Sequence, residues 1–153
     1  MRIEEAIRVS AFPSERQKLS INLIYTTSWA DIQLQQFFGE FGVTSAQYNV
    51  LRILRGAHPE PMTTSAIQER MIHRNAGASR LVDRLVGAGT AIKMPGKSDR
   101  RLVDVWISAK GLSVLEEMDA QKERIDQIYG GLSDVEVAQL NSLLDKLREA
   151  ARE

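Results

Sequence analysis

Between residues 63 and 107 the hydrophobic spacing changes once, and that change limits the folds open to the chain. Up to Val86 the apolar residues recur three and four apart; from Ala91 they alternate. The spacing predicts a short helix opened by Thr64 or Ser65, with Gln68 at capping-box distance and Ile67 and Met71 turned inward. After a break around His73-Arg74 a second helix is predicted from about Asn75 to Val86, closed by the glycines of Gly87-Ala88-Gly89. Ala91–Met94 and Leu102–Ile107 then read as strands joined by a polar turn, with Val103, Val105 and Ile107 on one face. Two helices across a tight turn, followed at once by a hairpin with a charged tip, leave few alternatives.

The flanks are helical. Pro13 suits a helix start, and no strong breaker follows until Gly39. Leu19, Leu23, Thr27, Ala30, Leu34 and Phe38 make one stripe; Ile21, Tyr25, Trp29 and Ile32 make a second. A helix of ~25 residues is roughly 37 Å long, and two apolar stripes on it need partners on two sides. One small chain is poorly able to supply both, which favours a subunit interface over a simple core helix. Thr44-Ser-Ala-Gln47 is a capping box opening a further helix, with Tyr48, Leu51 and either Leu54 or Ile53 inward, and it stops at Gly56. The loop His58-Pro59-Glu60-Pro61 is polar and rigid. Ser108 is expected to cap one long helix through about Tyr129, before Gly130-Gly131. Ser133-x-x-Glu136 then opens a last helix striped by Val137, Leu140, Leu144 and Leu147. The expected fold class is mainly α with a small β-hairpin wing: a winged helix-turn-helix domain over 43–111, and dimerisation helices over 1–42 and 112–153.

Charge sharpens this outline. The formal net charge is zero, but residues 63–111 hold nine basic and four acidic side chains, while 112–153 hold five basic and ten acidic. A basic middle with an acidic tail suits a polyanion on one face. Charge alone leaves chance clustering equally open. The chain has no cysteine, which removes disulfides, thiolate metal sites and thiol switching. His58 sits in a proline-rich loop and His73 in a turn, neither with carboxylates at metal-ligand spacing, so no metal or cofactor is expected. No phosphate loop, nucleophile elbow or acid–base constellation is present, and an enzyme is not expected. With no signal-peptide pattern and no apolar run of ~20 residues, the expectation is a cytoplasmic protein without a membrane partner.

The second helix of the helix-turn-helix has the chemistry to meet DNA. Its apolar positions, Ala78, Leu81, Val82, Leu85 and Val86, must face the domain, leaving Asn75, Ala76, Ser79, Arg80, Asp83 and Arg84 outward. Asn can bond adenine through two hydrogen bonds, and Arg can bond guanine or phosphate. Asp83, three residues after Arg80, is expected to orient that guanidinium. A solvated face with paired charges is the competing explanation. Gly77, expected inside the helix, would cost ~1 kcal/mol against alanine, and close approach to a ligand or neighbouring helix would account for it. At the hairpin tip, Lys97, Asp99, Arg100 and Arg101 are four charges around a turn. Such tips usually serve only solubility, but beside a helix-turn-helix this one becomes a wing whose arginines suit the narrow minor groove.

These residues together resemble the MarR family of transcription regulators. Asp99-Arg-Arg101-x-x-x-Val105 matches the family's D-x-R-x-x-x-V signature. Val43-Thr44-x-x-Gln47-Tyr48-x-Val50-Leu51 resembles its second helix, and Ser79-Arg80-Leu81-Val82-Asp83-Arg84-Leu85 its recognition helix. Ile107-Ser108-x-Lys110-Gly111 resembles the segment after the wing, and Leu132-Ser133-Asp134 the start of the last helix. The resemblance runs in order from about residue 15 to 150. It implies a winged helix-turn-helix and a homodimer with interleaved terminal helices on a pseudo-palindromic DNA operator. It also implies repression relieved by a small aromatic or anionic ligand. Arg101 would enter the minor groove with Asp99 holding it, while Ser79, Arg80 and Arg84 work in or beside the major groove. Tyr25, Trp29 and Tyr48 are the aromatic candidates for a ligand pocket, although plain core packing explains them equally well. Gly77-Ala78 departs from the family's bulkier or polar residues, which puts the number of base contacts in doubt. The lack of cysteine removes the peroxide-sensing branch as a model, and two histidines fit the zinc-sensing branch poorly. A dimeric adaptor that binds protein in place of DNA is the alternative, and the basic tip argues against it.

Arg101→Ala should therefore weaken operator binding by roughly 1–3 kcal/mol per contact and flatten its salt dependence by about one unit, while changing folding stability by no more than ~0.5 kcal/mol. Asp99→Ala should lose less, since it removes an orienting partner. Titrations at several salt concentrations check this; wild-type binding by both variants at every salt would end the wing-contact assignment.

Overall fold

The computed structural model describes residues 1–72, 76–96 and 101–149. It divides into two units, residues 1–120 and 121–153. The first contains α1 (Ile3–Ile7), α2 (Glu15–Glu40), α3 (Ser45–Ala57), β1 (Met62–Thr63), α4 (Thr64–Arg70), α5 (Ala78–Gly87), β2 (Ala91–Pro95), β3 (Val103–Ile107) and α6 (Ala109–Asp119). The second contains α7 (Glu123–Ile128) and α8 (Asp134–Glu149).

α3 is the centre of the first unit. Its capping box forms as the sequence predicts: Gln47 N–H donates to Thr44 Oγ1 at 3.2 Å, and Thr44 N–H donates to Gln47 Oε1 at 2.8 Å. One face, Val50, Leu51 and Leu54, is fully buried, and the helix packs against α2, α4, α5, β3 and α6. Ile67 of α4, Val82 and Leu85 of α5, Val105 of β3 and Leu115 of α6 complete this core. Each such side chain contributes ~1.5–3 kcal/mol by leaving water. Arg55 and Arg52 of α3 reach the Asp119 carboxylate at the end of α6, at 2.6 and 3.3 Å.

Several boundaries differ from expectation. α1 was not foreseen; it buries only Ile3, and its Glu4 accepts from Lys18 of α2 at 2.8 Å. The α4 cap is Thr63, whose Oγ1 accepts from Ala66 N–H at 3.2 Å, one residue ahead of the candidates Thr64 and Ser65. Met62–Thr63 adds a third strand, so the antiparallel sheet runs β1-β3-β2, with Met62 opposite Val105 and Lys93 also opposite Val105 on the other side. The single long helix expected from Ser108 to Tyr129 is two helices. Ser108 does cap the first through Gly111 N–H at 3.0 Å. The interruption at 120–122 contains neither Gly nor Pro, so composition did not mark it.

In α2, capped by Ser14, only Phe37 and Phe38 are buried. The body of the helix leaves Leu19, Ile24, Tyr25, Trp29 and Ile32 exposed, Ile24 at 69%. α8 buries nothing: Val135, Leu140, Leu143 and Leu147 are all exposed. Its capping box is formed, with Ser133 N–H and Oγ donating to Glu136 Oε2 at 2.8 and 2.7 Å. Those bonds hold the Glu136 carboxyl below its ordinary range.

Two glycines test the packing. A Cβ on Gly111 would lie 2.2 Å from the Thr90 carbonyl oxygen and 2.8 Å from Ile107 Cγ1, whereas one on Gly56 in α3 meets nothing within 4 Å. Gly111→Ala should cost about 1–3 kcal/mol through forced displacement of backbone. Gly56→Ala should add ~0.4–1 kcal/mol by restricting the unfolded chain. Urea midpoints of the two variants check both signs.

Candidate nucleic-acid interface

α4 and α5 form the helix-turn-helix. Gln68 of α4, expected to complete a capping box, instead accepts at Oε1 from the Ala78 N–H at 2.8 Å. It thereby satisfies one of the amides that the first turn of α5 leaves without an intrahelical acceptor, so the first helix caps the second. α5 begins at Ala78, three residues later than expected, and Gly77 is its N-cap with open space where a Cβ would stand. The mid-helix penalty argued for Gly77 therefore does not arise, and among the described residues no neighbouring helix approaches it closely.

The two faces of α5 sort as the periodicity predicts. Ala78, Leu81, Val82 and Leu85 are buried, Val86 is half-buried, and Ser79, Arg80, Asp83 and Arg84 are exposed. One partner differs. Asp83 is paired with Lys93 of β2, not with Arg80. β2 returns alongside α5, so an ammonium on the neighbouring strand reaches the carboxylate. This was invisible to spacing within one helix.

The far end of α5 is held by a set of polar contacts. Gly89, with φ of 75°, turns the chain, and the N–H groups of Gly89 and Thr90 donate to Val86 and Leu85 at 2.9 Å each. This is the Schellman arrangement, which satisfies carbonyls the helix would otherwise leave bare. Thr90, 3% exposed, donates its hydroxyl to Leu85 O at 3.1 Å and accepts at its carbonyl from Ser108 N–H at 3.1 Å. The Ser108 hydroxyl donates to Gly89 O at 2.7 Å, and Lys110 Nζ donates to Ala88 O at 2.8 Å. A cation there also suits the negative end of the helix dipole. Lys110, counted with the basic residues of the middle segment, is thus committed to closing α5.

The hairpin carries the other candidates. β2 and β3 pair from Ala91 opposite Ile107 to Pro95 opposite Val103, and Gly96 N–H extends the ladder to Leu102 O at 2.9 Å. Arg101 is exposed, two residues before β3 begins. Lys97, Asp99 and Arg100, like Asn75 and His73, lie outside the described residues.

The three aromatic candidates do not converge within one chain. Tyr48, half-buried, stacks on Phe38 with centroids 4.4 Å apart, and Arg52 Cζ stands 5.9 Å from its ring centroid. Trp29 and Tyr25 precede Phe38 on the same helix by about 13 and 20 Å of axial rise, and each is 41% exposed. An open groove on α2 is lined by Leu23, Ile24, Ile32 and their polar neighbours, without Tyr25 or Trp29.

Comparison with known proteins agrees with this architecture. Residues 43–103, spanning α3 through the start of β3, match the model of the MarR family. The chain is 25% identical over 122 residues to the HTH-type transcriptional regulator PecS of Dickeya dadantii, covering 78% of this chain and 73% of PecS. Its fold is shared with a mutant Escherichia coli MarR complexed with operator DNA, at a TM-score of 0.79 and 24% identity, covering 90% of this chain and 99% of that one. It is also shared with Bordetella bronchiseptica BpsR, whose DNA binding is regulated by 6-hydroxynicotinic acid, at 0.75 and 24%, covering 86% and 98%. Among the described residues no helix is long and apolar enough to cross a membrane. With the capped helix pair, the glycine-closed α5 and the three-stranded wing in that order, residues 43–103 carry a MarR-family domain, and the chain has the winged helix-turn-helix fold of the transcription regulators it is similar to.

Proposed function

We propose that this regulator is a homodimeric repressor that holds a pseudo-palindromic operator and releases it when a small aromatic or anionic ligand binds. The observation that carries the DNA-facing part is the outward face of α5, where Ser79, Arg80 and Arg84 stand exposed beside a hairpin that ends in Arg101. Small residues at the start of α5 permit close approach to base edges. In this reading Asn75, Ser79, Arg80 and Arg84 serve the major groove, Arg101 the minor groove with Asp99 orienting it, and Lys97 and Arg100 the phosphates.

Dimerisation is assigned to residues 1–42 and 112–153. What supports it is the apolar surface left open in each unit, on α2 by Leu19, Ile24 and Ile32 and on α8 by Val135, Leu143 and Leu147. Surface of that kind along whole helices is uncommon on a monomer. Ligand relief rests on the likeness to BpsR and on the aromatic side chains available. Since Tyr48 stands away from Tyr25 and Trp29 within one chain, a ligand that touches all three would have to bind across the dimer.

Sedimentation of the purified protein at micromolar concentration should give a dimer, and its affinity for duplex DNA should fall steeply with salt, by nearly one logarithmic unit per released phosphate counterion for each decade of salt. Aromatic carboxylates or phenols should dissociate the complex, with Trp29→Leu blunting the response. A folded monomer would remove the dimer, salt-independent or absent DNA binding would favour the adaptor reading, and an unaltered response in Trp29→Leu would move the ligand away from α2.

A further inference from the structure

We infer that Lys93 is a positioning residue for DNA recognition. It neutralises the Asp83 carboxylate on the outward face of α5 and ties that helix to the wing strand, and does not itself contact phosphate. The inference rests on the proposed DNA-facing role of α5 and specifies how that face tolerates an acid. Asp83 is exposed one helical turn beyond Ser79 and Arg80 and next to Arg84. An unpaired carboxylate at that place would face the phosphates of any duplex seated on α5, and like charges brought together as water is excluded repel strongly. Lys93 Nζ is bonded to Asp83 Oδ1, with the two side chains 44% and 59% exposed.

That exposure decides what the pair is for. Ion pairs so open to solvent add little to folding, so stabilising the free protein does not account for it. The pair links two elements that the core holds by their other faces: Leu81, Val82 and Leu85 anchor α5, and Ala91 anchors β2. It joins them on the side where DNA would approach. An ammonium already committed to a carboxylate is a poor phosphate ligand, because reaching outward would strand the acid. With one carboxylate oxygen engaged and its charge offset by Lys93, Asp83 is also a weaker acceptor for a cytosine amino group, the base contact its chemistry permits.

The test is a double-variant cycle on the full chain with Lys93→Met, Asp83→Asn and both together, measuring affinity for a genomically selected operator and for random duplex across a salt series. Lys93→Met should weaken binding to both duplexes by about tenfold. The double variant should return to within ~3-fold of wild type with the wild-type salt slope, because removing the acid removes the need for its partner. Lys93→Arg, which keeps the charge, should bind like wild type, and it serves as the positive reading should Lys93→Met fail to fold. Equal losses in Lys93→Met and the double variant, with a salt slope lower by about one unit per subunit, would make Lys93 a phosphate contact and overturn the inference. So would an Asp83→Asn variant that loses the operator yet keeps random duplex, since Asp83 would then read a base. The wild-type measurements separate the two levels: wild type that binds no duplex overturns both readings, whereas wild type that binds, with the variants behaving additively, overturns only this one.

Discussion

The backbone of Gly111 lies against the carbonyl of Thr90 so closely that no side chain fits between them, and the orientation of the recognition helix depends on that contact. Where α5 ends, the chain reverses through Gly89, enters β2 and is met by the segment that leaves β3 for α6. Four carbonyls at this junction, those of Leu85, Ala88, Gly89 and Thr90, accept from Thr90, Lys110, Ser108 and Ser108 respectively. Leaving such groups unpaired would cost about 1–3 kcal/mol each where water is excluded. The C-terminal end of α5 is therefore defined by polar contacts with definite geometry, and its N-terminal end by the Gln68 bond. Between the two, hydrophobic burial against α3 sets the depth of the helix but discriminates weakly among rotations of it.

The same division of labour recurs elsewhere. α3 supplies the apolar surface on which α2, α4, α5 and α6 rest, and at its far end Arg52 and Arg55 fasten Asp119, the last residue of α6. Arg52 also lies over Tyr48, which is stacked on Phe38. One basic side chain thus ties α3 to α6 and lies over the tyrosine by which α3 packs on α2. The outer surface of α2 remains apolar and open, as does that of α8 in the second unit, which is the condition expected of helices whose remaining partners lie on another chain.

Much of this was legible in the sequence where the determining interactions are local. The capping boxes at Thr44 and Ser133 form as written, because cap and partner lie three residues apart on one turn. The glycine stop after α5, the alternation of β3 and the two faces of α5 follow from periods that backbone geometry imposes. What could not be read is non-local. Gln68 has capping-box spacing from Ser65, yet it bonds Ala78 across a turn. Asp83 has an arginine one helical turn before it, yet it takes a lysine from another element. Lys110 counts as a free charge in any tally, yet it closes α5. The short elements α1 and β1 fall below the length at which periodicity is detectable, and the break before α7 carries no breaker residue. Family resemblance at Ile107-Ser108-x-Lys110-Gly111 marked the right residues, but their reason lies in the fold: a hydroxyl, an ammonium and an absent Cβ that together fasten one helix end.

The central claim is that the first turn of α5 is what enters the DNA. Because the chain contains no cysteine, a single Ser79→Cys variant can carry an iron chelate at one known position on that turn, and the cut sites on a bound genomic operator then map where it lies. The account predicts cleavage confined to two short patches, one in each half-site, separated by about one helical turn of DNA or a small multiple of it. Cleavage spread evenly along the duplex, or none while the protein remains bound, would contradict it.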